Sequence, residues 1–178
     1  MKDLIQQIEQ WAEDRNIFNG STVQKQIFKL AEEIGELFSG HNKNDLDKIR
    51  DSVGDCVVIL TNLRKMLNIE ETLYDTHCES EYIYDIPPAQ FNADESLAWI
   101  LSQQGTLSDY CLADPTQEPN PEMVNLIFYN LMRYCRAKEL NIVGCTYFAY
   151  NQIKHRKGKM IDGVFVKEED LNEQPTLA

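Results

Sequence analysis

The stretch Lys29-Leu30-Ala31-Glu32-Glu33-Ile34-Gly35-Glu36-Leu37 carries both a helix and a chemistry. Leu30, Ala31, Ile34 and Leu37, with Ile27 before them, recur at the spacing of one helix face, which predicts a helix from about Val23 to Phe38. Ser21-Thr22 supplies an N-cap. Ser39-Gly40 is read as the stop, because glycine is the usual residue just past a helix C-terminus. Glu33 and Glu36 stand three apart and Glu32 and Glu36 four apart, so the carboxylates occupy neighbouring points of one face. Such like-charge pairs cost roughly a few tenths of a kcal/mol each when exposed, and a bound divalent cation reverses that cost.

The next segment completes the pattern. His41–Asp45 reads as a short polar connection, followed by a helix from about Leu46 to Leu67 with the stripe Ile49, Val53, Cys56, Val57, Leu60, Leu63 and Leu67. A connection that short makes the two helices antiparallel neighbours, a hairpin. Asp51 and Asp55 share a face of the second helix, with Asn62 two turns further on. The two acidic faces are expected to meet and form one oxygen-rich site of the kind magnesium prefers. Gly35 and Gly54 interrupt helix interiors, where glycine costs about 1 kcal/mol against alanine, and so point to a close approach of backbone, metal or ligand. The competing reading is that both acidic faces are merely solvated. Asp55 argues against it, since it adjoins the apolar run Cys56-Val57-Val58-Ile59-Leu60.

Outward from this pair, Leu4, Ile5, Ile8 and Trp11 mark a first helix over residues 1–15, and Asn16 to Gly20 reads as a turn. Residues 68–93 are acidic, contain Pro87-Pro88 and lack a clean period, which suggests an irregular connection or a lid. Asp94 is read as the cap of a helix from about Glu95 to Leu112, and Asp114-Pro115 to Asn120-Pro121 as a loop. Helices follow over Glu122 to Lys138 and Ile142 to His155. Asp162-Gly163 between Met160-Ile161 and Val164-Phe165-Val166 predicts a small hairpin. The expectation is one all-α domain over residues 1–170, a bundle built around the hairpin of helices and completed by oligomerisation, with 171–178 as a loose tail.

Composition narrows the function. The chain has 178 residues, 43% of them hydrophobic and 26% charged, with a formal net charge of −12. A basic footprint for duplex nucleic acid is absent, yet an acidic protein still binds a polyanion when divalent cations lie between its carboxylates and the phosphates. No apolar run approaches the ~20 residues of a membrane span, and MKDLIQQIEQW has no signal-peptide core, so a cytoplasmic location is expected. The five cysteines include no Cys-x-x-Cys pair, and His77-Cys78 stands alone; reduced, mostly buried thiols are expected rather than a disulfide framework or zinc site. No GxxxxGK[ST] loop occurs.

With Glu32-Glu33-Ile-Gly-Glu36 followed by Asp55, the chain resembles the MazG-like all-α nucleoside triphosphate pyrophosphohydrolases, whose mark is Glu-Glu-x-x-Glu, a spacer, then Glu-x-x-Asp. Asn62 matches the family's asparagine seven residues beyond the aspartate, and Asn151-Gln-Ile-Lys154 resembles its later Asn-x-x-Arg/Lys. The resemblance covers 1–67 and 142–166 and says little about 68–141. It departs at Ser52, which stands where the family has glutamate: either Asp51 reaches the metal by a small rotation, the reading favoured here, or that ligand is lost or replaced by water.

The resemblance implies Mg²⁺, with Mn²⁺ as a substitute, held by Glu33, Glu36 and Asp55 with Asp51 as a fourth carboxylate. It implies Glu32 as general base, Lys154 and Arg156 on phosphate oxygens, and Asn62 and Asn151 orienting the nucleotide. The implied reaction hydrolyses a (d)NTP between the α and β phosphates to (d)NMP and pyrophosphate, in a dimer or tetramer. Three features keep two readings. Lys29 reaches the phosphates or pairs with Glu33. Trp11 stacks on a base or packs in the core. The cluster His155-Arg156-Lys157-Gly158-Lys159 clamps phosphates or is a solvated helix end. A non-catalytic nucleotide or metal sensor and a plain helical interaction module are the rival functions.

Overall fold

A computed structural model describes residues 1–70, 73–113 and 121–172. Among them are eight α-helices: α1 (Lys2–Asp14), α2 (Ile17–Gly20), α3 (Val23–Lys43), α4 (Leu46–Met66), α5 (Leu73–Glu79), α6 (Ala93–Ala113), α7 (Pro121–Ala137) and α8 (Ile142–Ile153). A two-stranded antiparallel hairpin follows, β1 (Gly158–Ile161) with β2 (Val164–Lys167). Among the described residues the fold is therefore all-α but for this small ribbon. No helix among the described residues is long and apolar enough to cross a membrane.

The organising element is α4, which packs against α1, α3, α7 and α8. From Cys56 to Arg64 every residue of it is buried, the signature of a helix surrounded by others. The main core joins Ile27, Leu30, Ile34 and Leu37 of α3 to Ile49, Val53, Val57, Leu60 and Leu63 of α4 and to α6, α7 and α8. A second, smaller core gathers Leu4, Ile8, Trp11, Ala12, Ile17, Val58 and Ile153.

Several boundaries differ from those expected of the sequence. Helix α3 runs through Ser39-Gly40 to Lys43, and the stop is Asn44, left-handed at φ 54°. Gly40 is buried, and a Cβ there would meet both the backbone nitrogen and Cγ1 of Ile49 at 3.1 Å. It is glycine so that α4 can start close by, not so that α3 can end. The connection shrinks to Asn44-Asp45, and Asp45 caps α4 by accepting the Lys48 N–H at 3.1 Å. The cap of α6 is Asn92, whose Oδ1 accepts from the N–H groups of Asp94 and Glu95; Asp94 instead reaches His41 Nε2 at 2.9 Å. Asn16 to Gly20 contains a single helical turn, α2, entered through a left-handed Asn16.

Residues 68–93 hold more structure than their irregular pattern suggests. They contain α5 and two 3-10 turns, Glu81–Asp85 and Pro88–Gln90. Leu73 and Ile83 are fully buried. Arg136 of α7 donates to the carbonyls of Tyr84 and Ile86 at 2.9–3.1 Å. The elements are too short to show a period, which is why they read as a lid. The expected loop at 114–120 lies outside the described residues and Pro121 opens α7; of the expected loose tail, 171–178, the first two residues belong to a 3-10 turn, Asp170–Asn172, and the rest lie outside the described residues.

The Asp-Gly turn behaves as its chemistry dictates: Asp162 (φ 49°) and Gly163 (φ 81°) are both left-handed, the conformation that closes two-residue hairpins. Ser21 Oγ donates to the Gly163 carbonyl at 2.7 Å, tying the ribbon to the start of α3.

Gly35 is exposed inside α3, and a Cβ there would meet nothing within 4 Å. Gly35→Ala is therefore expected to stabilise the isolated chain by about 1 kcal/mol, measured as a higher urea midpoint. A lower midpoint would mean that something else occupies that space in solution.

Candidate functional site

Two helix faces meet along a polar seam. At one end Asn62 of α4 donates to Gln26 Oε1 of α3 at 3.5 Å; at the other Lys48 of α4 lies 3.2 Å from Glu36 of α3. Gln26 and Glu33 are seven residues apart on α3, as are Asp55 and Asn62 on α4, so two turns bring Glu33 opposite Asp55.

The electrostatics agree. Burial pushes the Asp55 carboxyl from 3.8 up to about 7, the charges of Glu33 and then Asp51 push the same way, and Arg156 and Lys29 pull it back. Glu33, only 7% exposed, is also raised, first by burial, then by Glu36 and Glu32, with Lys29 opposing. A carboxylate held at this level is one that the fold leaves short of positive charge.

Each candidate residue has a definite place. Lys29 Nζ bridges Glu33 Oε1 at 2.8 Å and Glu32 Oε2 at 3.0 Å, so in this structure it takes the ion-pair alternative. Asp51 accepts from Gln152 Nε2 of α8 at 2.7 Å and so is turned toward α8, although its charge reaches Asp55. Ser52, Asp55, Ile59 and Asn62 form the stripe of α4 facing α3, by their spacing of three, seven and ten. Ser52 and Asn62 are almost wholly buried, and Ser52 Oγ and Asn62 Oδ1 have no hydrogen-bond partner among the described residues. Buried unpaired oxygens are uncommon in folded proteins and call for an explanation.

On α8, Lys154 Nζ donates to Asn151 Oδ1 at 2.6 Å. Arg156 follows the helix and is close enough to act on Asp55. With His155, Lys157, Lys167, Glu168 and Glu169 it lines an open cavity of ≈ 480 Å³. Trp11 takes the core alternative. It is buried in the second core, donates Nε1–H to the Ile153 carbonyl at 2.9 Å, and meets Phe165 edge-on at 6.3 Å.

Arg15, which sequence reasoning misses, lies over the Trp11 ring at 4.9 Å and donates to the carbonyls of Lys154 and Arg156 at 2.8–3.1 Å. Together Trp11 and Arg15 fix the end of α8, and with it the backbone that carries Arg156, whose charge reaches Asp55. Nothing local distinguishes such an arginine from any other at a helix end.

The donor set is all oxygen and mostly carboxylate, which suits a hard divalent cation. Among the described residues, however, no three Asp, Glu, His or Cys side chains already converge as a metal-holding group. The reason is visible in the pairs above: Lys29 holds Glu32 and Glu33, Lys48 holds Glu36, and Gln152 holds Asp51. A cation would have to exchange with the Lys29 and Lys48 ammonium groups and draw Asp51 away from the Gln152 amide.

No family model matches this chain, and no solved structure matches it. Among curated proteins it is similar to an uncharacterized 18.2 kDa protein in the rep-hol intergenic region of Haemophilus phage HP1 (strain HP1c1), with 53% identity over 73 residues. That match covers 41% of this chain and 45% of the phage protein, so it spans less than half of either.

Proposed function

We propose that the protein is a Mg²⁺-dependent nucleoside triphosphate pyrophosphohydrolase, framed by the antiparallel α3–α4 hairpin and completed by association of copies. The observation that carries this reading is the seam itself. A partly buried Asp55 with its carboxyl raised to about 7 lies within electrostatic reach of Glu33 on the neighbouring helix and of the Arg156 cation. That juxtaposition of clustered carboxylates and a cation suits a substrate that is a metal-bound polyphosphate.

Glu33, Glu36 and Asp55 would hold the metal, and Asp51 would join after leaving Gln152. Bound Mg²⁺ supplies charge neutralisation at the polyphosphate oxygens and a more acidic water. The residues do the rest. Glu32, the most exposed of the three glutamates, accepts a proton from the attacking water. Lys29, once exchanged from Glu33, and Lys154 and Arg156 bind phosphate oxygens. Asn62, with an unpaired buried Oδ1, and Asn151 orient the nucleotide.

A second reading rests on one specific observation. Ser52, where the resemblance places a glutamate, is buried with its hydroxyl unpartnered, and Asp51 is committed to Gln152. A site short of one carboxylate suits a nucleotide or metal sensor that binds without turnover.

The test is pyrophosphate release from a panel of canonical and modified (d)NTPs, with Mg²⁺ and with EDTA, for the parent and Glu36→Gln. Metal-dependent release, reduced at least about a hundredfold in Glu36→Gln, is the expected result. Metal-dependent stabilisation without release from any nucleotide would favour the sensor. The absence of any response to metal would sink both readings.

A further inference from the structure

Two helix stripes turned to solvent carry no charge. Phe28, Ala31 and Gly35 of α3 are exposed, and so are Ala98, Leu101 and Gly105 of α6, at the same offsets of three and seven residues. Each set therefore shares one face of its helix. The two helices pack against one another. Asp94, one step back along the α6 stripe, meets His41 of α3 at 2.9 Å, whereas Glu95 beside it reaches Arg133 of α7 at 3.8 Å. The α6 stripe thus runs along the side of α6 next to α3, and the uncharged surface spans both helices.

The relief of this surface alternates. Phe28 and Leu101 project from it, 54% and 53% exposed. Gly35 and Gly105 are hollows, since a Cβ on either would meet nothing within 4 Å. Glycine inside a helix is costly against alanine, and nothing in the described chain uses the room these two leave. The absence of charge is as unusual. From Ser96 to Ser108 there is no charged residue, in a chain with 29 Asp and Glu against 17 Lys and Arg. The next residue, Asp109, stands beside the stripe near its end.

We propose that this face binds a second copy of the chain, giving a two-fold dimer through α3 and α6. A two-fold contact sets one patch against itself, and this patch offers both the projecting side chains and the hollows that receive them. Charge selects the occupant. At a net charge of −12, copies brought together elsewhere set carboxylates against carboxylates, which is costly; here they do not. A basic partner is drawn to the acidic faces, not to a neutral one. An anionic lipid surface needs Lys or Arg around the apolar residues, and α6 has neither. Lys29 and Glu32 of the seam stand beside Phe28 and Gly35 on α3, so the partner copy borders the carboxylates. The dimer gives a place to the association of copies proposed above, but it rests on this face and not on the chemistry of the seam.

The experiment is sedimentation velocity on the full-length chain, in EDTA and without nucleotide, from micromolar to sub-millimolar protein. The expected species are the 20.6 kDa chain at the low end and its dimer at the high end. Phe28→Glu and Leu101→Glu change exposed side chains of the face. Each should weaken association at least about thirtyfold and leave the helical circular dichroism unchanged. Val164→Glu adds the same charge at an exposed residue of the ribbon and should leave the dimer intact. A chain that stays monomeric throughout would overturn the proposal. So would a dimer that survives both face variants, or one lost equally in Val164→Glu. Dimerisation that appears only when residues 173–178 are removed would overturn it too, because the chain's own end would then be the occupant. With metal and nucleotide absent, each result holds whether or not the seam hydrolyses a triphosphate.

Discussion

Gly54→Val is expected to cost about 3 kcal/mol or more of folding stability. A Cβ on Gly54 would lie 2.3 Å from the Cys145 carbonyl oxygen, 2.9 Å from its carbon and 2.6 Å from the Ala149 Cβ. These are backbone and first side-chain atoms, so no rotamer change relieves them, and α8 as a whole must move off α4. Overpacking of well-filled cores costs roughly 1–3 kcal/mol and sometimes more. The contact also sets where Asn151, Gln152 and Arg156 sit, so the loss extends to whatever the seam does. The sharper version of the test is alanine. In an open helix interior Gly→Ala gains about 1 kcal/mol, as expected at Gly35; at Gly54 the same change should lower the urea midpoint. A Gly54→Ala protein as stable as its parent would show that the two helices do not approach this closely.

The contrast between those two glycines says what a sequence can and cannot carry. Both carry the same sequence signal of close approach. One makes that approach, to the α8 backbone, and the other faces open space, because the signal is identical until a partner helix is in place. Gly40 misleads for the same reason: a glycine at the end of an apolar period reads as a stop, and only Ile49 shows that it is a packing glycine. What is legible follows from local periodicity. The stripes of α3 and α4, the Asp-Gly turn, and the three- and four-residue spacings that group the carboxylates along each helix all lie within the reach of helix or hairpin geometry.

What is not legible lies in long-range contacts. Trp11 and Arg15 grip carbonyls 139 to 142 residues away. Asp51, expected to turn toward the other carboxylates, is instead held by Gln152, 101 residues on. Lys48, which neutralises Glu36, draws no notice because a lysine in the first turn of a helix carries no signal until the opposite helix supplies its partner.

Raising the pH is expected to destabilise the metal-free protein, and Asp55→Asn is expected to remove much of that loss. The unfolded aspartate titrates near 3.8 and the folded one near 7. Between those values the folded chain binds more protons than the unfolded chain, so stability must fall as pH rises through the window. Below it both states are protonated, and above it both are charged, with the folded state bearing the full cost. With each pKa unit worth ~1.4 kcal/mol, the gap sets a ceiling of about 4 kcal/mol, and Glu33, raised by the same burial, adds loss of the same sign.

Asparagine keeps the shape and discards the charge. In EDTA the variant should therefore match the parent at about pH 4, exceed it at about pH 8, and show a flatter slope between. Mg²⁺ or Mn²⁺ should then raise the parent's midpoint at the higher pH and leave the variant little changed, because a ligand of the folded state stabilises by mass action. Urea midpoints at three pH values, with EDTA and with metal, decide it. An unchanged slope in Asp55→Asn would mean that Asp55 is solvated and that the seam is not where the fold stores its negative charge. A flattened slope with no metal response in the parent would keep the buried carboxylates and remove the cation from the proposal.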